Sequence, residues 1–179
     1  MSLPSATSPS GTAAPAGRSW HVRQAIAGPV LALLPAFALV RVRMLTLKAC
    51  GIRAGRATLF WGSPKLVGRG AVASRLKIGD FCGFNDGCEF DLRAPITIGN
   101  HVSVGHEVRF LTSQSADGVE TAAPITVGDG AWLGARSKLL AGVNVGAGSV
   151  IGAGITVAAD VPPNMLMTGG KPISLAKWR

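Results

Sequence analysis

The sequence has no tyrosine, and aromatic residues make up only 6% of its 179 positions. Aromatic side chains often supply much of the area buried in a globular core, so small and branched aliphatic side chains must fill this interior. Hydrophobic residues still reach 47%, and glycine occurs 24 times. This composition favours stacked, thin coils over a globular core built on large rings.

Acidic residues are also scarce, with 9 Asp and Glu against 18 Lys and Arg, for a formal net charge of +9. Such a surface favours anionic partners, whether phosphates, acidic lipids or nucleic acid. No stripe of basic residues interleaved with stacking aromatics is present, so a nucleic-acid partner is not expected. Much of the excess charge precedes the repeats described below, at Arg18, Arg23, Arg41, Arg43, Lys48, Arg53 and Arg56.

Cysteine occurs only three times, at Cys50, Cys82 and Cys88, without the spacing of a metal site. The odd number argues against a disulfide framework and fits a reducing compartment. Cys82 and Cys88 fall at equivalent places in successive repeats, where packing needs a small apolar side chain. All three are therefore interpreted as core residues.

The N-terminal part divides into two segments. Residues 1–19 have almost nothing to bury and are predicted to be a disordered tail. Residues 20–50 form an apolar and basic segment that is predicted to be helical. Its charge-free stretch, residues 24–40, is at the short end for a membrane span and contains prolines.

Three interpretations of this segment remain open. It could be a signal peptide cut after Ala36-Phe37-Ala38, a membrane-surface anchor, or helices packed on the following domain. The mixture of basic and apolar residues up to Lys48 is typical of an interfacial helix near anionic lipid. We favour a cytoplasmic protein that associates peripherally with the inner face of the membrane through residues 20–48.

A period of six residues begins after about Gly51. Strand alternation has a period of two and does not by itself produce this lattice. A triangular coil does, because it carries one short strand and one inward aliphatic residue on each face. Large apolar residues occupy the lattice at Leu66, Val72, Ile78, Phe84, Phe90, Ile98, Val104, Phe110, Val127, Leu133, Leu139, Val145, Ile151 and Val157.

The lattice predicts an all-β fold, a parallel β-helix of hexapeptide-repeat coils over residues 51–163, followed by a C-terminal tail at 164–179. It is interrupted between Leu111 and Pro124. A loop at 111–124 is therefore predicted to leave the coil. We expect this loop to matter for function, because functional residues concentrate on loops held by a rigid scaffold.

Two stretches, IGNHVSVGHEVRFLTS and PITVGDGAWLGARSKLLAGVNVGAGSVIGAGITVAADVPPNMLMTGGKP, resemble the hexapeptide-repeat O-acetyltransferases of the sugar and polysaccharide branch. The resemblance covers roughly residues 60–173. It implies a left-handed β-helix and a homotrimer with active sites between subunits. It also implies acetyl-CoA as acyl donor and a histidine that takes the proton of the acceptor hydroxyl.

The resemblance also implies which residues contact each substrate. Asn85 and Asp91 match positions near the acceptor, and Ser115 stands where the family places its loop histidine, in a stretch like Leu-Thr-x-x-His. Ala158 and Ala159 replace the usual phosphate contacts, so Lys171, Lys177 or Arg179 would have to meet the CoA phosphates. The positions matching the donor site are Trp132, Gly134, Ala135, Gly152 and Ala153, with Lys171 as the phosphate contact.

The catalytic base has to be chosen from three histidines. His21 lies in the N-terminal segment and His101 at a coil corner, so His106, one strand before the loop, is the predicted base. Glu107, Glu89 or Asp117 could orient or replace it.

The predicted function is acetyl-CoA-dependent O-acylation of a sugar hydroxyl in a polysaccharide or lipid-linked glycan precursor. One alternative is a catalytically inactive trimeric scaffold. Another is a metal enzyme like the γ-class carbonic anhydrases, which share the H-x4-H spacing of His101 and His106. Leu111 falls where the next zinc ligand would be, so no metal is expected.

Overall fold

The computed structural model describes residues 40–68, 70, 72–116 and 119–178. Helix α1 spans Val40–Ala49, and two 3-10 turns span Val72–Arg75 and Leu175–Trp178. The strands are β1 Arg53–Ala54, β2 Leu59–Phe60, β3 Lys65–Val67, β4 Leu76–Ile78, β5 Gly83–Phe84, β6 Glu89–Asp91, β7 Ile96–Ile98, β8 Ser103–Val104, β9 Arg109–Leu111, β10 Ser113–Ala116, β11 Val119–Ala122, β12 Ile125–Val127, β13 Trp132–Leu133, β14 Lys138–Leu139, β15 Asn144–Val145, β16 Val150–Ile151, β17 Thr156–Val157, β18 Met165–Met167 and β19 Ile173–Ser174.

Three parallel sheets form the faces of a prism. The first face is β1-β4-β7-β12-β15, the second is β2-β5-β8-β13-β16 continued by β18 and β19, and the third is β3-β6-β9-β14-β17. The chain visits the three faces in turn, and among the described strands β19 and the β10-β11 pair are the antiparallel ones. The predicted parallel β-helix is confirmed, with about five coils.

The interior follows the six-residue lattice. Most two-residue strands of the coils turn one apolar side chain inward, and the three-residue strands β4, β7 and β12 turn two. These side chains form one buried cluster along the axis. The first coils also contain phenylalanine, with Phe60 stacked on Phe84 at 4.4 Å and Phe90 on Phe110 at 4.8 Å between ring centroids. Rings therefore share the filling of a core expected to be aliphatic, because one coil step matches the stacking distance of two rings.

One lattice position differs from the expectation. Val72 begins a 3-10 turn between the third and first faces, and the next inward residues are Leu76 and Ile78 on β4. The extra residues of this coil leave Val72 outside a strand. The six-residue spacing alone did not distinguish this turn from a strand with an inward residue at the same position.

The corner between the first and second faces is built from side-chain hydrogen bonds between coils. The backbone N–H of Asp80 donates to Oδ1 of Asn100 at 2.8 Å, and the N–H of Asn100 donates to Oδ1 of Asp129 at 2.7 Å. A Cβ on Gly79 would fall 2.5 Å from Asn100 Oδ1, and one on Gly99 would fall still closer to Asp129 Oδ1, which explains the glycines before Asp80 and Asn100. His101 follows Asn100 with a φ of 55° and points outward.

Within the described coils, extra residues enter at the corner between the third and first faces. The first coil inserts the 3-10 turn Val72–Arg75 there, and the third inserts the hairpin of β10 and β11. The coil from Thr126 to Asn144, which are paired in register, has the plain length of three hexapeptides. The loop predicted at 111–124 thus contains an antiparallel hairpin.

Helix α1 covers the N-terminal end of the prism. Its Met44 and Leu47 join the core, and Arg43, with 0% exposure, donates from Nη1 to the carbonyl oxygens of Phe60 and Trp61 at 3.3 and 3.2 Å. The first coil has no earlier coil to occupy these carbonyls, so the guanidinium satisfies them.

The helix predicted within 20–50 is present at its C-terminal end, whereas residues 1–39, with the predicted tail, lie outside the described residues. In the part of the chain that the structure describes, no helix is long and apolar enough to cross a bilayer. The segment predicted as a C-terminal tail contains β18, β19 and the last 3-10 turn, which extend the second face at the other end of the prism.

Candidate active site

A groove lies along the corner between the second and third faces. His106, Ala135 and Ala153 follow β8, β13 and β16 at equivalent places, because Val104 is in register with Leu133 and Leu133 with Ile151. These three residues therefore stack in a column along the axis. The open groove beside them measures about 560 Å³ and is lined by His106, Glu107, Ala135, Arg136, Ala153 and Gly154. The structure thus brings the predicted base together with two predicted donor contacts.

Coil stacking explains the glycines of this corner. A Cβ on Gly134 would fall 2.6 Å from the backbone nitrogen of Ala153, and one on Gly105 would fall 2.6 Å from that of Ala135. Gly152 is less confined, because a Cβ on it would lie 3.1 Å from the carbonyl oxygen of Met167. Gly134 is therefore required by the fold whether or not it also contacts a cofactor.

His106 is held by its backbone and leaves its ring exposed. Its carbonyl oxygen accepts a hydrogen bond from the N–H of Arg136 at 2.8 Å. Beside it, Arg136 Nε donates to Glu107 Oε2 at 3.0 Å. No hydrogen bond or ion pair occupies the imidazole within the described residues, so both ring nitrogens can meet a substrate.

Asn85 lies at the same corner one coil earlier. Its backbone N–H and its Nδ2 both donate to the carbonyl oxygen of Val104, at 3.0 and 3.2 Å. The half-buried amide is thus tied to the coil that carries His106. Its Oδ1 is the atom left to accept a hydrogen bond from an acceptor hydroxyl.

A second polar cluster surrounds the root of the hairpin at the corner between the third and first faces. Asp91, only 5% exposed, accepts hydrogen bonds from the N–H of Ser113 at 3.1 Å and of Arg93 at 3.2 Å, and from the Ser113 hydroxyl. Thr112, fully buried, donates to the carbonyl of Asp91 at 2.8 Å and accepts from the N–H of Ala94 at 3.1 Å. These bonds fasten the base of the hairpin to the preceding coil.

The outer strand of the hairpin is attached by charge. Arg93 Nη1 lies 2.7 Å from Oε1 of Glu120 on β11 and 3.8 Å from Oδ2 of Asp91. Ser115 is exposed on β10 and in register with Glu120. Asp91 and Ser115 therefore share a corner, and the third face separates them from His106 and Asn85 within one chain.

The remaining predicted donor contacts lie on or beyond the second face. Trp132 is 57% exposed and points outward from β13, between Ser103 and Val150 in register. Lys171 is exposed in the turn between β18 and β19. Trp132 is not among the residues that line the groove of His106, and Lys171 lies at the C-terminal end of the prism. Asp117 and the side chains of Lys177 and Arg179 lie outside the described residues.

His101 and His106 lie at different corners. The ring of His101 stacks on Phe81 with 5.1 Å between centroids, at the corner between the first and second faces. Among the residues that the structure describes, no group of three or more His, Cys, Asp and Glu side chains is placed to hold a metal ion. The arrangement required by the carbonic anhydrase alternative is not formed by these two histidines.

Sequence reasoning missed a basic group beside the groove. An adjoining depression is lined by Gly87, Glu89, Glu107, Arg109, Arg136, Lys138 and Gly154. Of its cations, Arg109 and Lys138 directly precede the inward residues Phe110 and Leu139. Examination of the residue that precedes each inward position on the third face would have identified both cations.

The six-residue repeat and the fold both have counterparts among known proteins. A family model described as the hexapeptide repeat of succinyl-transferase matches residues 124–159. A hexapeptide-repeat-containing acetyltransferase of Vibrio cholerae superposes with a TM-score of 0.73 at 24% identity, over 88% of this chain and 93% of that chain. A maltose O-acetyltransferase of Clostridium difficile gives 0.67 at 19% identity, over 88% of each chain. These likenesses establish the fold.

Proteins related to the chain in sequence also carry acetyltransferase names. A protein of Schizosaccharomyces pombe named "putative acetyltransferase" is 42% identical over 98 residues, which is 50% of this chain and 47% of that protein. One of the same name from Staphylococcus aureus is 47% identical over 53 residues, 30% of this chain and 27% of that protein. The chain spans less than half the length of these curated relatives. The predicted resemblance to hexapeptide-repeat acetyltransferases is confirmed by these matches.

Proposed function

We propose that the chain is an acetyl-CoA-dependent O-acyltransferase that modifies a sugar hydroxyl. The observation that carries this proposal is the column of His106, Ala135 and Ala153 along one groove. Two proteins of the same fold support it, since the Vibrio cholerae acetyltransferase is known in complex with acetyl-CoA and a galactoside acetyltransferase in complex with coenzyme A.

The groove suits a thin thioester arm. Ala135, Ala153 and Gly154 leave open space along the axis next to His106, where larger side chains would block it. Bound there, the thioester carbonyl and the imidazole would be held together, which lowers the entropy cost of reaction. The imidazole takes the proton of the acceptor hydroxyl as its oxygen attacks the carbonyl, the C–S bond breaks, and the proton passes to the thiolate.

Replacing His106 tests this mechanism. His106→Ala should lower kcat for acetyl transfer by roughly 10²–10⁴-fold, the usual contribution of a general base. Transfer is measured with radiolabelled acetyl-CoA and a crude glycolipid or glycan fraction, or as release of free thiol. His101→Ala is the matched control, since that exposed histidine lies at another corner and its loss should leave turnover unchanged. Unchanged turnover in His106→Ala would remove this residue from the mechanism.

We further propose that three copies complete the site. One chain places its histidine groove and its hairpin corner on opposite edges of the third face, so a neighbouring copy would supply Asp91 and Ser115. Closed cyclic symmetry would repeat this junction three times. Sedimentation should then give about three times the 18.3 kDa of the chain.

Mixed trimers provide a sharper test. His106→Ala and Asp91→Asn subunits should each be inactive alone. Coexpressed in equal amounts, they should recover about a quarter of wild-type activity, because both halves of a site are then intact by independent chance. A mixture with no recovered activity would show that the two corners do not share a site.

An inactive scaffold is the second candidate, favoured by the serine at position 115 in place of a loop histidine. The two candidates differ in ligand binding. An acyltransferase should melt at a higher temperature in saturating acetyl-CoA, whereas a scaffold should not respond. Lack of any shift, together with lack of transfer, would favour the scaffold.

Peripheral membrane association at the cytoplasmic face is also a proposal, in keeping with a lipid-linked acceptor in polysaccharide biosynthesis. On α1, Leu45 is 68% and Val42 44% exposed, next to the exposed cations Arg41 and Lys48. Apolar and basic side chains on one exposed surface suit an anionic bilayer. Leu45→Glu should reduce cosedimentation with phosphatidylglycerol vesicles, while Val119→Glu on the hairpin should not. Equal binding of both variants would exclude α1 as the contact.

A further inference from the structure

The third face carries a column of charged side chains on its outer surface. Lys65, Glu89, Arg109 and Lys138 are consecutive partners in register on β3, β6, β9 and β14. Outward residues in register on parallel strands lie one strand spacing apart. Four charged groups are thus aligned along the axis, and three of them are positive.

The carboxylates in this region do not balance the cations. Glu89 receives both Lys65 Nζ at 3.6 Å and Arg109 Nε at 3.2 Å. Arg136 Nε is paired with Glu107 at 3.0 Å. Within the described residues, no hydrogen bond or ion pair engages the ammonium of Lys138 or the terminal nitrogens of the two arginines. The donors left over from Arg109, Arg136 and Lys138 therefore face solvent together.

The carboxylate of Asp86, at the same corner as His106, points away from this cluster. The side chain of Asp86 packs against Gly62 of the preceding coil so closely that a Cβ on that glycine would collide with it. Asp86 therefore lies toward the first coil, away from the coils that carry Arg136 and Lys138. Net positive charge remains at the centre of the third face.

This basic cluster, Arg109, Arg136 and Lys138, adjoins the candidate active site. Its depression shares Glu107, Arg136 and Gly154 with the groove of His106. The backbone of Arg136 is hydrogen-bonded directly to that of His106. Ala135 and Ala153, which match the donor site, continue along the axis from His106 toward the C-terminal coils. The cations lie beside the histidine, on the third face.

We propose that this cluster binds a phosphate or diphosphate of the acceptor, so that the acceptor is a phosphorylated sugar rather than a neutral one. The inference rests on the proposed acyltransferase function and specifies its substrate class. Arginine nitrogens hold phosphate oxygens in pairs, and lysine adds a point charge. An anion fixed beside His106 would place a nearby sugar hydroxyl within reach of the base.

The test compares two double variants of equal charge change. Arg109→Met/Lys138→Met removes two cations from the third face. Arg53→Met/Lys77→Met is the control, because those exposed residues are partners in register on the first face. Inorganic pyrophosphate is the probe, titrated calorimetrically against folded protein of each kind. Its Kd should rise roughly tenfold or more in the third-face variant and change less than about twofold in the control.

Acceptor kinetics give a second reading. With wild-type protein, a sugar 1-phosphate should be acetylated at a lower KM than the matching methyl glycoside. The third-face variant should lose this preference, because its KM for the sugar 1-phosphate should rise to that of the methyl glycoside. Equal KM values for the two acceptors in the wild-type protein would overturn the proposal.

The donor is the other source of phosphate, and its contribution can be separated. Coenzyme A and dephospho-coenzyme A should each bind the third-face variant as they bind wild type. Weaker binding of either compound to the variant would assign the cluster to the donor and overturn the proposal: a loss for coenzyme A alone would identify its 3′-phosphate, and a loss for both the 5′-diphosphate that they share. Pyrophosphate binding that is unaltered in the variant would also overturn it. Failure of wild-type protein to bind acetyl-CoA at all would instead refute the proposed function, which the pyrophosphate titration does not measure.

Discussion

At the scale of single residues, burial controls the chemistry of the cysteines. Burial raises the pKa of the Cys88 thiol from 9.0 to about 12, and it also raises the pKa of Cys82. A raised thiol pKa means that the folded state holds its proton more tightly than the unfolded chain. The stability associated with Cys88 is therefore complete below pH 9 and is lost as the pH rises toward 12.

Alkylation with iodoacetamide tests whether the cysteine thiols are buried in the folded protein. All three cysteines are buried, so native protein at pH 8 should gain no iodoacetamide adducts over a period that labels free glutathione completely. In denaturing urea it should gain three. Mass spectrometry counts the adducts, and fast labelling of native Cys88 would contradict the buried position.

At the surface, the pKa of the Asp80 carboxyl is shifted in the opposite direction from that of the Cys88 thiol. Hydrogen bonds from the backbone N–H and the guanidinium of Arg56, at 2.7 and 3.2 Å, lower the pKa of this carboxyl. Its contribution to stability is present above the pKa of the unfolded chain and is lost as the pH falls through the lower folded value. The corner between the first and second faces should thus weaken in acid.

At the scale of elements, the hairpin depends on Asp91. Asp91→Ala removes the acceptor for the N–H groups of Ser113 and Arg93, each costing about 1–3 kcal/mol if left without a partner. The expected result is faster hydrogen exchange between Ser113 and Ala122 with unchanged exchange in the coils. Mass-spectrometric hydrogen exchange reports both regions.

Glu120→Gln is the matched control for the hairpin. It removes only the exposed partner of Arg93, and such pairs contribute at most about 1 kcal/mol. Its exchange pattern should remain close to that of wild type. If both variants exchange alike, Asp91 does not hold the hairpin.

At the scale of the whole molecule, a stacked solenoid needs a cover where stacking stops. Arg43 provides it at the N-terminal end by hydrogen-bonding the carbonyls of Phe60 and Trp61. Arg43→Met keeps the apolar volume but leaves both acceptors without this donor, so the free energy of unfolding should fall by about 1–3 kcal/mol. Urea denaturation measures the loss.

The neighbouring arginine on α1 is the control for this change. Arg41 is exposed, so Arg41→Met should alter the free energy of unfolding by less than about 0.5 kcal/mol. Similar losses in the two variants would mean that α1 contributes by its charge rather than by capping the first coil.

The coils were predictable because every inward position has to be apolar. Leu133, Leu139 and Val145 follow one another at intervals of six, and a buried column accepts few other residues there. Val72 has the same spacing but begins a 3-10 turn. The sequence did not reveal this turn, because the six-residue pattern of apolar residues runs through it unchanged. The outward cations Arg109 and Lys138 escaped notice because solvent-facing positions are free to vary.

The sequence by itself determined the stacked coils, the interruption after Leu111, and the grouping of Ala135 with Ala153, because an uninterrupted repeat returns each corner to the same edge. Only the tertiary structure decided which corner each remaining polar residue occupies. The inserted turn and hairpin change the length of a coil, so counting residues no longer tells one edge from the next. For that reason the separation of Asp91 from His106, and the meeting of Arg136 with Lys138 and Arg109 beside the histidine, became visible only in the folded chain.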